Sequence, residues 1–252
     1  MTTEVTMTTK GQIAWITLDN PAKRNALTQA GMAQFHQHLK EIRADSRYRV
    51  LIVTGSGDRA FCAGASLDQI QAGTITSDTF QALADDLASL PLPKIVAFNG
   101  DAYGGGAEIG LCCDFRIGPP GMKLMVPAAR FGLCYPYNGI RRFVQRLGPD
   151  VAKRMLVAAQ TFSAQELIDV GYLHTLTTPD NVQKAADDQA QRLAALAPLA
   201  VSAMLKICDG VAGGNLQEDQ VQSWITQCNE SEDLKAGLKA AVARTTAVFS
   251  GT

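Results

Sequence analysis

Two hydrophobic patterns alternate along the chain. Residues 12–18 read as a strand, which Asp19-Asn20-Pro21 ends as a turn. An irregular basic segment follows at 22–27. Thr28 then caps a helix running to about Ala44, whose Met32, Phe35, Leu39 and Ile42 share one face. Residues 49–54 are apolar without alternation, as in a strand covered on both sides, and residues 94–98 have the same character. The pattern predicts helices over 78–90, 140–147 and 150–159, and a buried helix over 107–113. Short strands are predicted over 114–117 and 173–176, with an extended segment over 122–126. Ser163 and Glu166 have the spacing of a capping box. From Asp180 onward the pattern is helical, with breaks at Pro198, Gly213-Gly214 and Ser231. Strand–helix alternation followed by helices implies an α/β core with a C-terminal helical subdomain.

One stretch stands out against this pattern. Asn99-Gly100-Asp101-Ala102-Tyr103-Gly104-Gly105-Gly106-Ala107-Glu108 joins a buried strand to a buried helix through three consecutive glycines. Glycine runs are costly in backbone entropy, but they bring bare N–H groups to a helix N-terminus, where negative charge is favoured. Glu108 falls in the first helical turn beside that place. A carboxylate next to an anion hole suits proton transfer near a polarised carbonyl better than it suits phosphate binding. The plainer alternative is a glycine-rich turn between core elements. Ala63-Gly64-Ala65 is a second junction of small residues, and it favours the functional reading.

Composition narrows the classes. The 252 residues carry a net charge of −1 with no long Lys/Arg run, which argues against a nucleic-acid surface. The first ten residues lack a signal-peptide core, and no apolar run approaches a membrane span, so a cytoplasmic protein without membrane contact is expected. Cysteines 62, 112, 113, 134, 208 and 228 form no Cys-x-x-Cys pair, and several lie in apolar segments, as buried free thiols do. His36, His38 and His174 give no metal-ligand spacing with them, so no metal is expected. Gly55-Ser56-Gly57-Asp58-Arg59-Ala60 fits a dinucleotide fingerprint on paper. Neither a helix nor a ribose-binding acid follows at the required distance, so no nicotinamide or flavin cofactor is expected.

Three segments carry a resemblance that covers nearly the whole chain: residues 20–27, 60–67 and 99–108. In order and separation they resemble signatures of the enoyl-CoA hydratase/isomerase (crotonase) superfamily. Cys113-Asp114, Ser163 to Glu166, Gly171 and the helical tail fit as well. The resemblance implies a crotonase-like spiral of ββα units over residues 1–195. It further implies a helical oligomerisation subdomain over 196–252, in a homotrimer or a dimer of trimers. It implies an acyl-CoA thioester substrate, with coenzyme A as part of the substrate and no separate cofactor, and a stabilised enolate. By match, Ala65 and Gly105 supply oxyanion-hole N–H groups and Glu108 is the acid/base. Arg24, Ala63, Gly64, Ser66, Leu67, Tyr103 and Gly104 surround the bound thioester, with Arg24 near the CoA phosphates. Ser66 stands where the family often has Asp. Arg244 and Phe249 resemble tail positions that reach CoA in some members.

The second hydratase glutamate should follow Pro127, and this chain has Ala128 there. A methyl group neither accepts nor donates a proton, so the two-glutamate water mechanism lacks one arm. That loss counts against efficient hydration and leaves the oxyanion hole untouched, where one base suffices for moving a proton between α and γ carbons. The family resemblance as a whole implies a lyase first and an isomerase next. Decarboxylation, or acyl-CoA binding without catalysis, is left as an alternative. Tyr135 and Tyr137 follow the missing glutamate. Their simplest reading is an aromatic loop lining the acyl pocket, and the alternative is a phenolic proton donor. Asp68 is read as a solvated residue at a helix start.

Overall fold

The computed structural model describes residues 3–214 and 216–252. An antiparallel hairpin, β1 (Val5–Lys10) and β2 (Ile13–Leu18), begins the chain. Helix α1 (Gln29–Ala44) returns it to β3 (Val50–Gly55), parallel to β2. Then come β4 (Ala60–Cys62), α2 (Leu67–Gln71), α3 (Ser77–Ala88), β5 (Lys94–Ala97), β6 (Asp101–Tyr103) and α4 (Gly105–Cys112). They are followed by β7 (Phe115–Gly118), β8 (Lys123–Met125), α5 (Tyr137–Leu156), β9 (Phe162–Ser163), α6 (Ala164–Asp169) and β10 (Thr175–Leu176). Four helices end the chain: α7 (Val182–Ala194), α8 (Pro198–Gly213), α9 (Glu218–Glu230) and α10 (Glu232–Ala243).

Six strands form one sheet in the order β1-β2-β3-β5-β7-β10, and four form a second in the order β4-β6-β8-β9. Each of β3, β5 and β7 is followed by a short strand of the second sheet and then by helix. This is the repeating ββα unit that the resemblance implies. Period-two alternation divides the large sheet's residues between two cores. Leu51 and Val53 pack with α1, α3 and α4, whereas Val50 and Ile52 pack on the opposite face. There α7 covers them with Val182, Ala186, Ala190 and Ala194, spaced four apart on one stripe. Small alanines let the helix lie close to the sheet.

Local signals act as their chemistry requires. Thr28 Oγ1 accepts the Gly31 N–H at 3.0 Å, and Ser163 with Glu166 forms a complete capping box. The predicted break between 147 and 150 is a kink at Gly148 (φ 77°), before Pro149, inside α5. Strands β1, β4 and β6 were not predicted. β1 is an edge strand of Val, Met, Thr and Lys, mostly uncovered, and β4 and β6 have three residues each, too few to show a period.

The last three helices bury little. Ala203 is the buried residue of α8, α9 has none, and α10 has Asp233 and Ala240. Met204, Val211, Leu238 and Val242 are exposed. Asp233 fixes the tail by accepting the N–H groups of Ser250 and Gly251 at 2.7 and 3.0 Å. Arg49 donates to the Phe249 carbonyl at 2.5 Å. No single helix among the described residues is long and apolar enough to cross a membrane.

His174 gives the fold a pH dependence. Its Nε2 lies 2.7 Å from Arg116 Nη2, which only a neutral imidazole accepting from the guanidinium satisfies. Burial, then the charge of Arg116, lowers its pKa from 6.5 to about 4. Between those values the unfolded chain binds the extra proton, so stability is present above pH 6.5 and falls progressively toward pH 4. Thermal melts across this window should show a falling midpoint that flattens in His174→Gln. Parallel curves for the two proteins would remove His174 from the account.

Candidate active site

β4, β6 and β8 run parallel, so their C-terminal ends lie side by side. Open α/β sheets place ligands at such ends. β4 leads through Ala63-Gly64-Ala65-Ser66 into α2, β6 leads through Gly104 into α4, and β8 leads to Pro127-Ala128. The first two junctions abut at Gly64. Its φ is +86°, and a Cβ there would sit 3.0 Å from the Tyr103 carbonyl oxygen and 3.2 Å from the Gly105 nitrogen. Only glycine fits both the conformation and the gap.

This approach leaves two backbone donors unused. Neighbouring amides are engaged: Gly64 N–H with Cys62 Sγ, Ser66 N–H with the Leu27 carbonyl, and Gly104 N–H with the Met125 carbonyl. The N–H groups of Ala65 and Gly105 make no hydrogen bond among the described residues. Both residues line a cavity of about 340 Å³, together with Ala63, Gly64, Tyr103 and Gly104. Leu67, Ile70, Ile75 and Phe80 form one apolar wall, and Met125, Ala128, Phe131 and Leu133 form another. No Asp or Glu lines it among the described residues.

Arg24 also lines the cavity, and a buried asparagine holds it there. Asn25 Nδ2 donates to the carbonyls of Ser56 and Ala60, its Oδ1 accepts the Asn20 N–H, and the Arg24 carbonyl accepts the Ala63 N–H. Asn99 binds the same loop, accepting the Gly55 N–H at 3.1 Å and donating to the Gly57 carbonyl at 2.8 Å. The Ser56 N–H is spent on the Leu18 carbonyl. The dinucleotide-like segment 55–60 thus uses its first amides internally, and β4 rather than a helix follows it.

Glu108, in the first turn of α4, is fully buried and stands behind the cavity wall instead of lining it. Its Oε1 accepts from Arg142 Nη1 in a close ion pair and from Gln81 Nε2 at 3.4 Å. Arg142 Nη2 also donates to Asp85 Oδ1 at 2.7 Å. Gln81 Oε1 accepts the Gly139 N–H at 3.0 Å, which ties α3 to α5 around the carboxylate. Burial raises the Glu108 pKa, against the opposing pull of Arg142. The carboxyl therefore holds a proton more readily than an exposed glutamate, as general acid/base work at neutral pH requires.

Tyr135 connects Glu108 to the cavity. Its ring lines the space, and its phenol faces the carboxylate. Glu108 Oε2 and Tyr135 Oη are both buried without a fully formed hydrogen bond. Burial, then the neighbouring carboxylate, pushes the phenol well above its usual pKa, so it remains protonated. Gly139 makes room for the pair, since a Cβ there would lie 2.6 Å from Tyr135 Cε1 and 3.0 Å from Glu108 Oε2.

The remaining predicted residues divide. Ala128 lies in the 3-10 turn Ala128–Phe131 on the cavity wall, where its methyl offers no proton chemistry. Ser66 precedes α2 without lining the cavity, and Asp68 is solvated, 4.0 Å from Lys23 Nζ. Tyr137 is 75 % exposed and does not line the cavity, unlike Tyr135. Arg244 ends α10, and Phe249 lines a separate cavity of about 270 Å³ against α8 and α10, so neither tail residue reaches the main cavity. Arg142, Gln81 and Asp85 were not anticipated. Their partners come from elements far apart in sequence, and on a helix each reads as an ordinary solvated side chain.

The family model for enoyl-CoA hydratase/isomerase matches residues 8–251. The chain is 31 % identical over 222 residues to the carnitinyl-CoA dehydratase of Proteus mirabilis, covering 86 % of this chain and 85 % of that protein. It is 30 % identical over 197 residues to the short-chain-enoyl-CoA hydratase of Clostridium acetobutylicum, covering 76 % of each. An enoyl-CoA hydratase/carnithine racemase structure from Magnetospirillum magneticum superposes with a TM-score of 0.92 over 100 % of this chain and 97 % of that one. At 24 % identity that likeness carries the fold alone. Sequence match, ββα architecture and abutting junctions converge, and the chain belongs to the enoyl-CoA hydratase/isomerase family.

Proposed function

We propose that the protein acts on acyl-CoA thioesters by stabilising an enolate and moving a proton beside it. One observation carries this reading. The unbonded N–H groups of Ala65 and Gly105 line an apolar cavity, with a buried carboxyl whose pKa burial raises behind its wall. A thioester carbonyl seated against both donors gains negative charge as the α-proton leaves, and each such donor is worth roughly 3–4 kcal/mol in a dry site. The acyl chain occupies the apolar space, and Arg24 offers a guanidinium to the CoA phosphates. Coenzyme A arrives as part of the substrate, without a separate cofactor. Exposed Met204, Val211, Leu238 and Val242 on the last helices suit an interface between copies of the chain, as in a trimer or a dimer of trimers.

Within this class we place hydration or dehydration first and double-bond migration second. The curated relatives named as a hydratase and a dehydratase support that order. A further reading, loss of CO2 from a carboxylated acyl thioester, is favoured by the absence of any Asp or Glu among the described cavity-lining residues. Decarboxylation needs the enolate hole but no base. A panel of enoyl- and carboxyacyl-CoA thioesters separates these outcomes. Water addition, α-deuterium exchange and CO2 release are followed separately, in wild type and Glu108→Gln. Glu108-dependent water addition supports the first placement. CO2 release indifferent to Glu108 replaces it with decarboxylation. Turnover of no thioester overturns the reading.

A further inference from the structure

One side chain packs directly against a donor of the enolate hole. A Cβ on Gly105 would lie 2.6 Å from Phe80 Cε2 and 2.7 Å from Phe80 Cζ, so the ring stands where a side chain of residue 105 would go. Phe80 is buried in the core and lines the same cavity as Gly105. A carbonyl oxygen that accepts the Gly105 N–H sits only about 2.9 Å from that nitrogen. The ring therefore borders the atoms beside the carbonyl, and not the far end of an acyl chain. The two junctions also distinguish the two sides of that carbonyl. Arg24, the one cation among the described cavity-lining residues, is tied to the first junction, where its carbonyl accepts the Ala63 N–H at 3.0 Å. The CoA arm belongs on that side, and the acyl α-carbon falls on the Gly105 side, against Phe80.

Resting on the function proposed above, we propose that Phe80 is a specificity-determining residue. Its ring closes the space beside the α-carbon, so the site takes acyl-CoA thioesters with an unbranched α-carbon and rejects their α-methyl isomers. The same contact explains why residue 105 is glycine. Any side chain there would have to displace the ring, and the ring is what shapes the site at that point.

A ring selects in this way only if it cannot retreat, and α3 is held in place. Thr76 caps its start by accepting the Thr79 N–H at 3.2 Å. Leu83, Ala84 and Leu87 bury its inner face completely. Three hydrogen bonds then tie it to α5. Gln81 Oε1 accepts the Gly139 N–H at 3.0 Å, and Asp85 accepts from Asn138 Nδ2 at 2.9 Å and from Arg142 Nη2 at 2.7 Å. Admitting an extra methyl against Phe80 would mean shifting packed side chains, which close-packed interiors resist. A branch at the γ-carbon lies two bonds further from the carbonyl and escapes this contact.

The test uses the full chain and follows α-deuterium exchange in D2O for saturated acyl-CoA thioesters of equal carbon number: straight-chain, 2-methyl and 4-methyl. Rates are taken per α-hydrogen, as kcat/KM. Wild type should prefer the straight chain over the 2-methyl isomer by about tenfold or more, since one methylene in an apolar pocket is worth about 10–200-fold. Phe80→Leu should cut that preference about tenfold and leave the ratio of straight-chain to 4-methyl rates unchanged. Comparing the two proteins cancels the lower acidity of a branched α-hydrogen. Phe80→Met serves the same purpose if Phe80→Leu fails to fold. A 2-methyl preference unchanged in the variant overturns the proposal, and so do two ratios that change alike, as in a site that is merely loosened. Wild type that exchanges the 2-methyl and straight-chain thioesters equally overturns it with no variant at all. Exchange of none of these thioesters by wild type overturns the underlying reading instead.

Discussion

Arg142→Met should cost about 3–5 kcal/mol of folding stability, because it leaves Glu108 charged, buried and unpaired. For a chain of this size that corresponds to roughly 2–4 °C of melting temperature per kcal/mol. Methionine fills much of the arginine's space, so lost charge pairing dominates over a cavity. The loss should also depend on pH in a defined direction. Removing Arg142 takes away the main force that lowers the Glu108 pKa, while burial continues to raise it above 4.5. A carboxyl whose folded pKa lies above its unfolded value contributes stability that is fully present below the unfolded pKa and lost as pH rises through the folded one. The deficit of Arg142→Met should therefore shrink on acidification toward pH 4.5 and grow toward neutrality. Melts of both proteins in matched buffers measure it. A deficit independent of pH would mean that Arg142 acts through Asp85 or packing, and not through Glu108.

Glu108→Gln should lower turnover by about 10²–10⁴-fold while acyl-CoA affinity holds. The amide keeps the side chain's shape, and its oxygen can still accept from Arg142, which retains Asp85 as an ionic partner. What disappears, on the proposed function, is the group that accepts and returns a proton. The N–H groups of Ala65 and Gly105 and the apolar walls are untouched, so the effect should fall on kcat and leave KM near the wild-type value. The acidic limb of the wild-type profile should lie above the ordinary carboxylate range, since burial raises Glu108. A kcat close to wild type in Glu108→Gln would shift the account toward a reaction that needs only the enolate hole.

Sequence and structure diverge in an instructive way. The α/β core was legible through its large-sheet strands, whose apolar runs at 49–54 and 94–98 are long enough to recognise, whereas the ββα spiral was legible only through the resemblance of residues 20–27, 60–67 and 99–108 to the family's signatures. Both junctions were legible as runs of small residues, three consecutive glycines at 104–106 and Ala63-Gly64-Ala65. Their mutual contact was not. It depends on β4 and β6 lying parallel and adjacent, and three-residue strands leave no periodic trace. The placement of Glu108 behind the wall was equally hidden. Position 108 in the first helical turn fixes where the side chain starts, but Arg142 and Gln81, from α5 and α3, decide where its oxygens end. Ala128 was legible at once, because a methyl group excludes a role whatever its surroundings. Tyr135 and Tyr137 look alike two residues apart, and only the fold sets one half-buried at the cavity, its hydroxyl enclosed, and leaves the other 75 % exposed.

The central claim is that a thioester carbonyl is held and polarised by the N–H groups of Ala65 and Gly105. Infrared difference spectroscopy of an acyl-CoA carrying carbon-13 at that carbonyl reads the claim directly. Two strong hydrogen bonds should move the bound carbonyl stretch to clearly lower frequency than in free solution, in wild type and in Glu108→Gln alike. A bound thioester whose carbonyl stretch stays at its solution frequency would contradict the account.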